Sequence, residues 1–317
     1  MKPPVVAPPA AVQRAIEAAS TDSVTQTRFR NVNFHVAPGV VLEIAFLRGQ
    51  MVSKTKGGPV LFDDKQSFVI HIDTALVALD TTSLDHLMNE HVFAYHGAPL
   101  RRLSFGTTGD QLIQRGVLHK VIDIPFQITA TVGIMPNGEI RLHPTSVRIG
   151  SLNGGGLMHA LGITLSSLLD LRGAKGIRVE KNDLLLDPEQ VLPPPAIAGR
   201  VTAVRVESGR LVQTFGSADG GRTASRKRVA DLTPPDTAAP NYMYFHNGTL
   251  RFGKLFMVRA DMQIIDLRPA TSFDFSIDRY NEQLVAGYSK NQPNMSLEVF
   301  MPDLSSVDSG RKVAAHP

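Results

Sequence analysis

Ten of the 317 residues are histidine, and His86, His91 and His96 are evenly spaced by five. Imidazoles gathered on one face could hold a divalent ion. Five residues along a helix turn through roughly 500°, about 140° off the starting face, so these three side chains diverge. Gly97 and Pro99 also end a helix near His96. His91 falls on an apolar stripe and reads as a half-buried, hydrogen-bonded histidine. His71, His119 and His143 fall in strand-like segments and read as outward-facing polar positions. The chain has no cysteine, which excludes thiolate metal sites, disulfides and a cysteine nucleophile. Neither a metal nor another cofactor is expected.

Nucleophilic and acid–base chemistry have little support. There is no Gly-x-Ser-x-Gly elbow, and Ser166 and Ser167 lie inside an apolar helical pattern, where a hydroxyl bonds back to a carbonyl. Asp183, Asp187 and Glu189 cluster in IRVEKNDLLLDPEQ, which reads more simply as a solvated strand edge than as an acid/base pair. Gly154-Gly155-Gly156 precedes a helix but lacks the Lys-Ser/Thr of a phosphate-binding loop. No catalytic residue is assigned, and the chain is not expected to be an enzyme. Arg222, Arg226, Lys227 and Arg228 form a basic run, but aromatics are only 6% and the net charge is +4, so a solvated linker is expected and no nucleic-acid partner. Leu192-Pro193-Pro194-Pro195 reads as a stiff connector in preference to a polyproline ligand.

The elements around these residues are mostly strands. From Thr25 to Phe215 apolar and polar residues alternate, as half-buried antiparallel strands require. Leu42, Ile44 and Phe46 share a face, as do Phe68, Ile70, Ile72 and Leu76. Phe126, Ile128, Ala130, Val132 and Ile134 alternate with Gln127, Thr129 and Thr131. Pro136-Asn137-Gly138 supplies a turn into a partner strand at 139–150, and Glu207-Ser208-Gly209 supplies another. A helix is expected at 83–93, capped by Thr82 or Ser83. A second, over 157–171, carries Leu157, Leu161, Leu165, Leu168 and Leu169 on one stripe, with His159 and Asp170 as its only titratable groups. So little charge implies burial on more than one side.

The expected organisation is a Pro/Ala-rich tether at 1–24, a β-rich domain at 25–216, a linker or long loop at 217–241, a β-rich unit at 242–303 that could rejoin the same sheet, and a tail at 304–317. In the C-terminal unit His246-Asn247-Gly248 reads as a hairpin turn, and Gly253 as a bulge in one long stretch, 249–267. The start has no signal-peptide core, so it reads either as an ordinary cytosolic terminus or as the remainder of a trimmed signal or anchor. No apolar run approaches the roughly 20 residues of a membrane-spanning helix, so membrane contact is expected to be peripheral at most.

The segments FQITATVGIMPNGEIRLHPTSVRIG (126–150), the glycine-led helix at 156–171, IRVEKNDLLLD (177–187) and VTAVRVESGRLVQTFG (201–216) resemble the tubular lipid-binding (TULIP) superfamily. Within it they are most similar to bacterial LmeA-like envelope proteins. The resemblance spans about 25–216 and implies an α+β, mostly β fold: a long, highly curved antiparallel sheet wrapped around a helix, with an apolar channel for lipid acyl chains. It also implies a periplasmic or envelope location.

The physical case is independent of the family. An acyl chain placing about fourteen methylenes between sheet and helix gains on the order of 11 kcal/mol gross, at ~0.8 each, before association costs. Phe126, Ile128, Val132, Leu157, Leu161, Leu165 and Leu168 are the expected lining, and the expected partner is a lipid or another elongated apolar ligand. The same faces could instead pack shut as a dry core. The alternative function is then a structural or scaffolding β-protein of the envelope, whose C-terminal unit docks a protein partner.

Overall fold

The computed structural model describes residues 24–119, 122–150, 171–216 and 232–308. The fold is mostly β, with large antiparallel sheets and a few short helices. The chain enters on a long hairpin of β1 (Val24–Ala37) and β2 (Val40–Ser53), rich in the β-branched and aromatic residues that suit a pleated, half-buried surface. Its turn needs Gly39, which sits at φ +72°, and where a Cβ would run into the His86 ring. β3 (Val60–Leu61) and β4 (Phe68–Asp80) follow.

A helix, α1 (Thr81–His86), continues as a π-helical turn over Leu87–Val92. Its cap is neither Thr82 nor Ser83. The Asp80 carboxylate accepts from the Ser83 N–H at 2.6 Å, while the Ser83 hydroxyl is buried and accepts from the Val41 N–H at 3.2 Å. Leu84, Leu87, Met88 and Val92 are buried, and His91 is exposed. The wider π turn rotates Val92 inward where a regular helix would have placed His91 on the stripe.

Six strands then form one antiparallel sheet: β5 (Leu100–Thr108), β6 (Gln111–His119), β7 (Asp123–Ile134), β8 (Ile140–Ile149), β9 (Ile177–Glu180) and β10 (Asp183–Leu186), in the order β5-β6-β7-β8-β10-β9. A short helix, α2 (Pro188–Val191), is capped by Asp187, whose carboxylate accepts from the Glu189 N–H at 3.0 Å. Leu192–Pro195 connects it to β11 (Ala196–Ala198), β12 (Val201–Glu207) and β13 (Arg210–Phe215). Beyond residue 232 come β14 (Tyr242–His246), β15 (Thr249–Phe252), β16 (Leu255–Val258), β17 (Asp261–Asp266), β18 (Phe273–Ser276), α3 (Tyr280–Ala286), β19 (Tyr288–Asn291), β20 (Leu297–Met301) and α4 (Leu304–Asp308).

The main sheet runs β12-β13-β4-β2-β1-β14-β17-β20-β19, with β11 beside β4 and β18 beside β1. Thus 242–303 rejoins the sheet begun by the N-terminal hairpin. β14 pairs antiparallel with one half of β1, from Gln26↔His246 to Arg30↔Tyr242, and β18 pairs parallel with the other, from Val32↔Phe273 to His35↔Ser276. Asn247-Gly248 is accordingly not a hairpin turn: β14 and β15 do not pair, and the two positive-φ residues form a corner that takes the chain into a small sheet, β16-β15-β3. Gly253, at φ +59°, is the turn of the β15–β16 hairpin and not a bulge, so 249–267 holds three strands.

Two strand faces also differ from simple alternation. The β2–β4 pairing shifts register between Ile44 and Phe46 and again between Arg48 and Gly49. Each shift inserts one residue and reverses the parity beyond it. Leu47 is therefore buried while Phe46 is exposed, and Ala75, Val77 and Leu79 are buried while Leu76 faces the other way.

Of the expected linker, 217–231 lies outside the described residues. Leu232, Ala239 and Asn241 are buried, the first two against Tyr242, Tyr244 and Ile265. The expected tail begins as α4, held by an Arg279–Asp308 ion pair at 2.5 Å. One continuous apolar core joins the main sheet, the six-stranded sheet and the small sheet. Phe62 anchors one end, with the rings of Phe68, Phe245, Phe252 and Tyr280 centred 5.1–5.9 Å away.

Candidate functional site

β7 and β8 pair from Phe126↔Ile149 to Ile134↔Ile140. Paired residues share a face. Phe126, Ile128, Ala130, Val132 and Ile134 therefore stand beside Ile149, Val147, Pro144, Leu142 and Ile140, and one face of this hairpin is apolar along its whole length. The other face carries Gln127, Thr129, Thr131, Arg141 and Arg148. The turn holds because Gly138 takes φ +94° and the Asn137 side chain accepts from the Glu139 N–H at 3.2 Å. A register shift between Thr129 and Ala130 leaves Thr145 unpaired in the ladder, its hydroxyl donating to the Thr129 carbonyl at 3.1 Å. That one residue keeps both halves of β8 apolar on the same side.

Of the expected lining, Phe126 and Ile128 are buried and Val132 is half-buried, all on this face. Leu157, Leu161, Leu165 and Leu168, with the whole 157–170 pattern, lie outside the described residues. Sequence reasoning does not single out the β8 partners. Their alternation, I-R-L-H-P-T-S-V-R-I, is legible only once Thr145 is skipped. Ile134, Val147 and Ile149 are only half-buried, so the two ends of the wall are partly open.

Among the described residues, two apolar cavities border this core. One, of about 30 Å³, lies between α1, the six-stranded sheet and β13, with Met88, Phe105, Ile140, Leu142 and Leu184 in its wall and Gln114 as its polar group. The other, of about 20 Å³, lies over the main sheet among Phe29, Ile44, Ile72, Leu192 and Phe215, with Gln213 as its polar group. A water needs about 10–15 Å³ by this measure, so each has room for one or two waters and neither admits an acyl chain as it stands.

The polar chemistry is dispersed. Among the described residues four histidines meet carboxylates: His35 with Asp274, His86 with Glu90 at 2.7 Å, His119 with Asp123 at 2.6 Å and His143 with Asp183 at 2.6 Å. The hydrogen bond from His119 holds the Asp123 carboxyl below its usual range. Among the described residues no three His, Asp or Glu side chains converge as a metal set. The carboxylates Asp183, Asp187 and Glu189 each hold a structural partner: His143, the Glu189 N–H and the Gly199 N–H respectively. A polar groove of about 360 Å³ crosses the outer side of the main sheet past Asn31, Asn33, Glu43, Arg205 and Arg210. There burial pushes the Glu43 carboxyl up, opposed by Arg210 at 3.2 Å.

No family model, no curated protein and no solved structure matches this chain. No helix among the described residues is long and apolar enough to cross a membrane.

Proposed function

We propose that the protein is a non-enzymatic lipid-binding or lipid-transfer protein of the bacterial envelope or periplasm. In this reading the six-stranded sheet and the 157–171 segment form a TULIP-like wrap, and an acyl chain lies along the β7–β8 face. The supporting observation is the continuous apolar face from Phe126 to Ile134 and from Ile140 to Ile149, with half-buried ends and no charged residue. Such a face favours hydrocarbon of any headgroup, because burial is proportional to area and non-directional. A guest at either of the two small cavities would have to displace side chains.

The test is solvent extraction and native mass spectrometry of the purified full chain, with uptake of a fluorescent fatty acid. Bound lipid, and uptake lost in Ile128→Asp, is the expected result. An unliganded protein that takes up no probe overturns it.

A second reading, a structural or scaffolding β-protein with a closed core and a protein partner, is favoured by the small size of these two cavities among the described residues. It predicts no lipid and no uptake with a cooperatively folded chain.

A further inference from the structure

The β15–β16 hairpin carries apolar side chains on both faces. Leu250 and Phe252 are buried beneath it, and Leu255, opposite Phe252, is still 39% exposed. On the outer face Phe256 stands opposite Arg251, and Val258, opposite Thr249, is 36% exposed. β16 is an edge strand, paired with β15 alone among the described residues. Lys254 and Arg259 bracket it, both exposed and without a carboxylate partner among the described residues. The nearby carboxylates Asp63 and Asp261 are held by neutral donors, and Arg251 lies 4.0 Å from Asp63. Asp63 accepts from the Tyr280 hydroxyl at 2.7 Å and Asn281 at 3.0 Å, and Asp261 accepts from the Tyr244 hydroxyl at 2.9 Å.

Two further exposed apolar side chains lie beside the hairpin. α3 packs under its turn: the Gly253 N–H donates to the Tyr280 hydroxyl oxygen at 2.8 Å, and Val285, next to the Leu284 that approaches Gly253, is 86% exposed. At the other end, β20 starts opposite Met262, which puts Met295 on the same sheet end as Arg259. Met295 is 91% exposed and held at φ +66°, a turn position that favours Asn or Gly. Its N–H donates to the Gln292 carbonyl at 2.9 Å, and the Gln292 N–H donates to the Ser296 carbonyl at 2.9 Å, so this turn holds the side chain outward at the start of β20.

We propose that this hairpin edge is a docking surface for an anionic lipid bilayer. Two cations without a carboxylate partner among the described residues bracket the exposed aliphatic side chains Leu255 and Val258 on this edge. That combination matches a negative headgroup layer over an acyl boundary, with the cations at the phosphates and the apolar tips below them. The attachment is peripheral and salt-sensitive. It is independent of the cargo reading, since docking needs no guest inside the fold.

The test is flotation of the full chain with phosphatidylcholine vesicles, alone or with phosphatidylglycerol, at low and high salt. The wild type should float with the anionic vesicles and fall off in high salt. The exposed double variant Lys254→Gln/Arg259→Gln should lose about 25-fold in partitioning, roughly fivefold for each cation at the surface. Leu255→Ser/Val258→Ser should weaken binding with the charges intact, and unfolding midpoints of all variants show that each is folded. Wild-type chains that stay with neither vesicle overturn the proposal and leave the edge to a protein partner. Binding unchanged in Lys254→Gln/Arg259→Gln also overturns it, because another surface then does the work. Lipid extracted from the unmixed protein reads the cargo separately, so either reading can fail alone.

Discussion

Replacing Asp303 by asparagine should stabilise the fold at neutral pH and have no effect in acid. Asp303 precedes α4, and its carboxylate accepts from the Asp274 N–H at 2.8 Å. Burial pushes its pKa from 3.8 to about 6; the hydrogen bond from the Asp274 N–H is the main opposing effect, the carboxylates of Asp266 and Asp274 add to the rise, and Arg268 opposes it least. The charged form is thus disfavoured in the folded chain. Between these two values the folded state binds more protons than the unfolded state, so stability falls as pH rises through the window. The cost is complete above about pH 6 and absent below the unfolded value. At 1.36 kcal/mol per unit the shift amounts to roughly 3 kcal/mol, and the half-solvated position of the group reduces this to ~1.5 kcal/mol. Asparagine keeps an oxygen for the Asp274 N–H and carries no charge. With an unfolding slope of about 3 kcal/mol per molar urea, the midpoint should rise by ~0.5 M at pH 7.5, and the gain should shrink to nothing as pH falls toward 4. Urea titrations of both proteins from pH 4 to 7.5 read this difference directly. Equal midpoints at pH 7.5, or an Asp303→Asn variant that is weaker throughout, would refute the assignment of burial as the dominant cause.

The packing yields three further expected outcomes. Gln283 is fully buried and joins three segments, accepting from the Ser276 N–H at 3.0 Å and donating to the carbonyls of Asp274 and Pro302 at 2.8 and 2.9 Å. Gln283→Leu strands all three groups and should cost on the order of 4 kcal/mol in urea unfolding, with Tyr288–Met301 the first region to lose amide protection in hydrogen exchange. Phe62→Ala removes the ring shared by four neighbours and should cost about 4 kcal/mol, read as a lowered Tm. Gly49→Ala sets a Cβ against the His71 carbonyl oxygen at the β2–β4 register shift and should cost about 2 kcal/mol, whereas alanine at the open Gly106 should cost much less, as paired urea midpoints would show.

The part of the fold legible in the sequence is the part that period-two burial forces on it. The strands around Leu42, Phe68, Phe126 and Ile140 could be read because each has one face in the core, and the turns at Asn137-Gly138 and Ser208-Gly209 because glycine there is required by positive φ. The faces of Phe46 and Leu76 were not legible, because a register shift belongs to a pair of strands and leaves no mark on either alone. The same is true of β14 and β18, which take opposite halves of β1 from more than 200 residues away, so that a stretch resembling a separate unit completes the first sheet. For the candidate site the division falls at the same place. That Phe126, Ile128 and Val132 share an apolar face is a property of one strand. Whether that face meets a guest or another wall depends on how two sheets and a helix fill the gap between them, a matter of volume that alternation does not encode. The half-buried ends at Ile134, Val147 and Ile149 are therefore the informative positions. If a lipid enters, those residues lose exposure first. If the core is closed, they keep it, and polar substitutions there should be tolerated in a way that Ile128 or Leu142 would not allow.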